Sequence, residues 1–269
     1  MSDAAAFESS EQPVPFVIET LNSRALHFCH GAIQSRMRLD DPDALDLDYT
    51  RLMMGFLLFN PTPKNLVMIG LGGGSLPKFC HRHLPRSRID VVEINPHVLA
   101  LRDQFHVPSD SARFRVLQAD GARFVREQAS PVDVLIVDGF DDLGQPPQLA
   151  SSRFYDDCHD SLAEDGVMVV NLHSGREYSA PCAERIRRSA FRQILLVDSQ
   201  EDCNTIAFAF KDPATLSRRA LARARPPRMH EHAARSLRPA IALVERALQE
   251  FESTRLAPPI DSNQQAALE

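Results

Sequence analysis

Several signatures that would assign a chain at a glance are missing. The five cysteines, Cys29, Cys80, Cys158, Cys182 and Cys203, are odd in number and contain no C-x-x-C pair. That spacing argues against a disulfide framework and against a zinc site, and fits reduced thiols in a cytoplasmic protein. The start, "MSDAAAFESSEQPVP", has no basic residues leading into an apolar run, so no signal peptide is expected. No apolar stretch approaches the ~20 residues that cross a bilayer, and no membrane association is expected. Positive charge is in deficit. The formal net charge of −6 gives no general attraction to nucleic acid. The ten histidines form no H-E-x-x-H, and no metal is expected. There is no G-x-x-x-x-G-K-S/T phosphate loop, and Ser75 lies outside any G-x-S-x-G elbow.

What is present is an ordered alternation. The 269 residues suffice for one large α/β domain with a small appendage. Residues 1–14 are small and polar and read as a disordered tail. Over 15–60, "FVIET", "RALHFC" and "AIQSRMRL" read as short antiparallel strands, followed by a linking helix in "DDPDALDLDYTRLMMGFLLF". Residues 61–212 alternate strand and helix: "NLVMIG", "RIDVVEI", "RFRVLQ", "VDVLIV" and "GVMVVNLH" are the strands. Apolar strands separated by helices predict a mostly parallel sheet covered on both faces. "QILLV" and "NTIAFAF", joined by a short turn, predict a closing hairpin that places an antiparallel strand at the sheet's edge. Residues 213–254 read as a C-terminal helical extension, its arginine-rich start a solvated face or an oligomer contact. Residues 255–269 read as a loose tail. The fold class is α/β and Rossmann-like.

Three strand ends then fall on one rim. "GLGGGSL" joins the first strand to its helix, where Gly70, Gly72, Gly73 and Gly74 let backbone N–H groups approach a ligand. Glu93 ends the second strand, placed to accept from ribose hydroxyls, and otherwise reads as a strand-end cap. Asp120, followed by Gly121, ends the third, placed for an exocyclic amine or for an N-cap. Ligands of open parallel sheets bind at that rim, and a nucleoside-containing compound explains the series best. The bunched glycines differ from G-x-G-x-x-G, and the pattern looks like a class I S-adenosylmethionine-type transferase. At the fourth strand end, "VDVLIVDGFDDLGQ" runs an apolar strand into Asp138, Asp141 and Asp142. Those carboxylates read either as a solvated loop or as a pocket for a cationic substrate.

The run from Leu66 to Leu172 resembles the spermidine synthase (polyamine aminopropyltransferase) family. The resemblance is carried by "IGLGGGSL", "VVEINP", "QADGARF", "VDVLIVDGFDDLGQ", "RFYDDCHDSLAEDGVMVVNLH" and, more faintly, "HGAIQSRM". It implies a small N-terminal β domain beside a class I methyltransferase fold, and transfer of an aminopropyl group from decarboxylated S-adenosylmethionine to a di- or polyamine. It further implies Asp138 as general base, Asp141 as the acid that holds the amine, and Glu93 as the ribose ligand. Asp120 and Gly121 match the adenine side, Gln34 a glutamine closing over the donor, and Tyr49 a tyrosine near the acceptor amine. Homodimers occur in such a family, with the C-terminal helix as a candidate contact. The chain departs from the family's pattern in three places: no aspartate in the glycine loop, Thr50 and Arg51 after Tyr49, and "SGREYSAPC" after the fifth strand. Intact S-adenosylmethionine as a methyl donor, or non-catalytic binding of a polyamine or nucleoside, are the alternative readings.

Overall fold

A computed structural model describes residues 12–30, 33–140, 145–172, 176–201, 204–216 and 229–256. Strands β1 (Phe16–Glu19), β2 (Ser23–His27) and β3 (Ser35–Arg38) form a small antiparallel sheet in that order. A short helix, α1 (Asp48–Met53), continues as a 3-10 helix over Met54–Leu58 and leads into the larger sheet. That sheet holds β4 (Asn65–Ile69), β5 (Arg88–Glu93), β6 (Phe114–Gln118), β7 (Val132–Val137), β8 (Leu162–Asn171), β9 (Ile194–Asp198) and β10 (Thr205–Phe210). Their order is β6-β5-β4-β7-β8-β10-β9. Strands β4 to β8 pair in parallel, and β10 runs antiparallel between β8 and β9. Chain order reverses between β4 and β7, so the sheet's switch point lies where those two strands end.

Alternation along each strand sends side chains to two separate cores. Leu66, Met68, Val134 and Ile136 face one core, with helices α1, α2 (Ser75–His83) and α7 (Glu231–Leu256) over it. Val67, Ile69, Leu135 and Val137 face the other, covered by α4 (Gly121–Glu127), α5 (Ser152–Ser161) and α6 (Arg176–Arg188). Between β5 and β6 lies α3 (Pro96–Leu99), opened by Pro96 and capped by Asn95, whose Oδ1 accepts from the His97 N–H. Both faces being dry at the centre of the sheet, residues 66–69, 134–137 and 167–170 read as continuous apolar runs, whereas edge strand β6 alternates Phe114 and Val116 with Arg115 between them.

Two elements differ from the expectation. The linking helix is only six residues long before it tightens to 3-10, because α7 crosses against it: a Cβ on Gly55 would lie 2.7 Å from Val244 and 2.9 Å from Phe208. Strand β8 begins at Leu162, earlier than Gly166, since Leu162 pairs with Val132 across a register shift. In α7, Ala233, Leu237, Ala240, Val244 and Leu248 form one buried stripe. That stripe is occupied within the chain, against α1, the 3-10 helix and β9. Among the described residues no helix is long and apolar enough to cross a membrane. The arginine-rich segment 217–228 and the tail 257–269 lie outside the described residues.

Candidate active site

A cleft of about 700 Å3 opens at the carboxyl ends of the parallel strands, with the small sheet and α1 on its far side. Five successive strand ends reach it: Gly70 after β4, Glu93 at the end of β5, Asp120 after β6, Asp138 after β7 and Asn171 at the end of β8. A volume of this size suits a nucleoside-sized ligand with room beside it.

At one end the polar groups are held by backbone. Gly70 has φ +97°, and a Cβ there would lie 2.2 Å from the Asp138 carbonyl oxygen. The two loops of the switch point therefore touch, and only glycine fits. Gly72 also lines the cleft. Gly73 backs onto Phe105 and Ser35, and Gly74 is the N-cap of α2, so these two support the loop from outside the cavity. Glu93 is buried. Its Oε2 accepts from the Leu71 N–H at 2.9 Å and its Oε1 from the Asn95 N–H at 2.8 Å. Burial raises its pKa, and N–H groups of Asn95, Leu71, Ile94 and Gly72 oppose that rise. Asp120 lines the cleft while its Oδ1 caps α4, accepting from the Arg123 N–H at 2.7 Å. Gly121 starts that helix against β4, where a Cβ would fall 2.4 Å from Ile69.

At the other end the groups are held by side chains. Asp138 Oδ1 accepts from Asn171 Nδ2 at 2.9 Å, and Oδ2 from the Tyr49 hydroxyl at 3.3 Å. The same hydroxyl lies 3.5 Å from the Gln34 carbonyl, which places Gln34 on the roof of this end. Asn171 Oδ1 in turn accepts from Asn204 Nδ2 at 2.8 Å. Withdrawal of the Asp138 carboxylate from water raises its pKa, and the bonds from Asn171 and Tyr49 work the other way. A carboxylate so placed takes up a proton more readily than one in solvent. Asp141 and Asp142 lie outside the described residues, as does His173.

Arg51 does not enter the cleft. Its guanidinium donates to the Leu45 and Asp46 carbonyls and pairs with Asp48 and Glu201. Asp48 Oδ2 accepts from the Ser199 hydroxyl at 2.7 Å and from the Gln200 N–H at 3.1 Å. This fastens α1 to the turn between β9 and β10. Arg36 reaches the rim but is paired with Asp46. Among the described residues, no group of three or more His, Cys, Asp or Glu side chains could hold a metal ion.

Sequence reading missed Asn171, Asn204 and the N-terminal approach, where Asn95 Nδ2 donates to the Pro13 carbonyl at 2.8 Å and Gln12 and Pro13 line the cleft. Asn171 carried a signal, a polar residue ending the apolar run "VMVVN" on the same rim as Asp138. Asn204 carried none.

Comparison with known proteins bears on the family and the fold. The spermine/spermidine synthase domain profile matches residues 47–187. A polyamine aminopropyltransferase of Chromobacterium violaceum is 37% identical over 202 residues, covering 75% of this chain and 77% of that protein. A spermidine synthase solved in complex with the transition-state analogue AdoDATO superposes with a TM-score of 0.60 at 19% identity, covering 87% of each chain. Human methyltransferase-like protein 13 in complex with SAH gives 0.57 at 25% identity, covering 80% of this chain and 96% of that one.

Proposed function

The chain belongs to the spermine/spermidine synthase family, and on that footing we propose that it moves an aminopropyl group from decarboxylated S-adenosylmethionine to a di- or polyamine, with Asp138 as the base. The observation that carries this reading is the Asp138 carboxylate, partly withdrawn from water and held by Tyr49 and Asn171, beside Gly70 of the glycine loop. A donor lying along the loop would place its ribose towards Glu93 and its base towards Asp120, Gly121 and the rim. Its sulfonium would then point at Asp138.

An alkylamine has a pKa near that of lysine, about 10, and is cationic at neutral pH. A carboxylate at the cleft floor attracts that cation and then takes its proton. The freed nitrogen forms the new N–C bond on the carbon next to sulfur. The C–S bond breaks with its electron pair left on sulfur, and a neutral thioether departs. Holding nitrogen, carbon and sulfur in line supplies much of the acceleration. Asp141 is assigned to anchoring the amine, Tyr49 and Gln34 to closing the reacting end. Arg51, tied to Asp48 and Glu201, offers no partner for the carboxylate of intact S-adenosylmethionine. That favours the decarboxylated donor over the methyltransferase reading, which the likeness to the human methyltransferase keeps as the rival.

Calorimetric titration with decarboxylated S-adenosylmethionine, S-adenosylmethionine and methylthioadenosine, each with and without putrescine or spermidine, tests the assignment. Tighter binding of the decarboxylated donor and formation of an aminopropylated amine are expected. Asp138→Asn should lower kcat/KM by about 10²–10⁴-fold, the span of a positioned base, with donor affinity nearly kept. Preference for the intact donor with indifference to amines would hand the site to methyl transfer.

A further inference from the structure

Asn204 lies on the outer hairpin of the sheet, far in sequence from every other residue of the site. Its place beside Asn171 is set by register: Asn171 pairs with Ile206, and the Leu172 N–H donates to the Thr205 carbonyl at 2.9 Å. The Ser199 N–H donates to the Asn204 carbonyl at 2.8 Å and closes the hairpin turn. Asn171 is 3% exposed and bridges Asn204 to Asp138.

An ionised carboxylate has no proton to donate, so the Asn171 amide must turn its NH2 towards Asp138. Its oxygen then points the opposite way, out of reach of bulk water, and needs a donor there. Asn204 Nδ2 is that donor. Were position 204 an acceptor, the Asn171 amide would be drawn to turn over and set its oxygen against the carboxylate. Charge-assisted bonds are the strong ones, and lone pair against lone pair is a costly replacement.

We propose that Asn171 and Asn204 form an amide relay in which Asn204, a positioning residue, fixes the Asn171 amide and thereby the orientation and proton affinity of Asp138. Asn171 touches the carboxylate itself. The catalytic consequence rests on the reading of Asp138 as the base. Among the described residues, the other titratable and charged groups facing this cleft are Tyr49 from α1, Glu93 from β5, Asp120 before α4 and Arg36 from β3. Of these Tyr49 bonds Asp138 directly, Glu93 and Asp120 are bonded to backbone N–H groups, and Arg36 is paired with Asp46.

The test is an Asp 13Cγ NMR titration, with the Asp138 signal assigned by its loss in Asp138→Asn, run beside pH–rate profiles. Asn204→Asp, nearly isosteric, should move the Asp138 midpoint and the acid limb of kcat/KM together to higher pH. At neutral pH that amounts to about a tenfold loss, the worth of one hydrogen bond to a charged group. Asn204→Leu carries no charge. It should also raise the midpoint and lower kcat about fivefold with the donor KM unchanged, a split that mere loosening of the hairpin would not give. An unchanged midpoint in Asn204→Leu overturns the relay, because a shift confined to the Asp variant is only the field of a new charge. If the leucine lowers Tm markedly, Asn204→Ser removes the donor from reach while sparing the hairpin and answers the same question. Should no amine react with the unaltered protein, the base reading fails, and the NMR midpoints still decide the relay.

Discussion

At one end of the cleft, Glu93 is bound by N–H groups of Leu71 and Asn95, 22 and 2 positions away in sequence. At the other, Asp138 is bound by the side chains of Tyr49 and Asn171, 89 and 33 positions away, and Asn171 by Asn204 a further 33 on. A backbone N–H is there whatever residue occupies the position. The glycine-loop end is therefore specified by loop path, with Gly70, Gly121 and the Glu93 carboxylate as its fixed points. The reacting end depends on side-chain identity at four separate elements. One scaffold can thus keep the loop-held end of its cleft while the end held by side chains is revised one residue at a time.

The strongest way to break this contrast is to strike where the ends meet. Gly70→Ala forces a Cβ to 2.2 Å from a backbone carbonyl at φ +97°. It should cost about 3 kcal/mol and lower Tm by roughly 8 °C, impairing both ends together. A smaller, crossed pair separates them. Glu93→Gln leaves one of two backbone N–H groups without its acceptor and should weaken donor binding about tenfold with kcat little changed. Tyr49→Phe should do the reverse, lowering kcat about fivefold and leaving donor affinity alone. If both variants act on binding alike, the two ends are one unit and the contrast falls.

The smallest effect concerns the joint between α1 and the outer hairpin. Burial works to raise the Asp48 pKa, but the bonds from Ser199, Gln200 and Glu201, with Arg51, bring it below its usual value of 3.8. A carboxyl depressed in the folded state stabilises above its unfolded pKa and loses that contribution as pH falls through the folded one. Asp48→Asn should cost about 1 kcal/mol at neutral pH in urea unfolding. The gap to the unaltered protein should close as the pH falls through 3.8 and below.

The same contrast governs what could be read before the fold was known. Strand–helix alternation by itself sends Gly70, Glu93, Asp120 and Asp138 to one rim, and the sheet has that form. The hairpin from "QILLV" to "NTIAFAF" was equally plain, since two apolar runs with a polar turn have few alternatives. Asn204 was invisible because its meaning lies in the β8–β10 register, which no local pattern encodes. The direction taken by Arg51 was open for a related reason. It follows Tyr49 by two residues, and two positions along a helix lie on different faces, so its guanidinium meets Asp48 and Glu201. The early end of α1 also escaped notice, because "LMMGFLLF" is apolar all round and only the crossing of α7 at Gly55 decides where the helix tightens.

That crossing sets an order on synthesis. Val244 closes over Gly55, and Leu237 and Leu248 fill the core on which α1 rests, so these contacts wait until α7, which follows every strand of the large sheet, has left the ribosome. The glycine loop, Glu93 and Asp120 are translated and can pair with their neighbours well before then. The helix that carries Tyr49 is made before the strands of the large sheet and secured after them, so its hydroxyl settles against Asp138 only once the rim at Gly70, Glu93 and Asp120 can already stand.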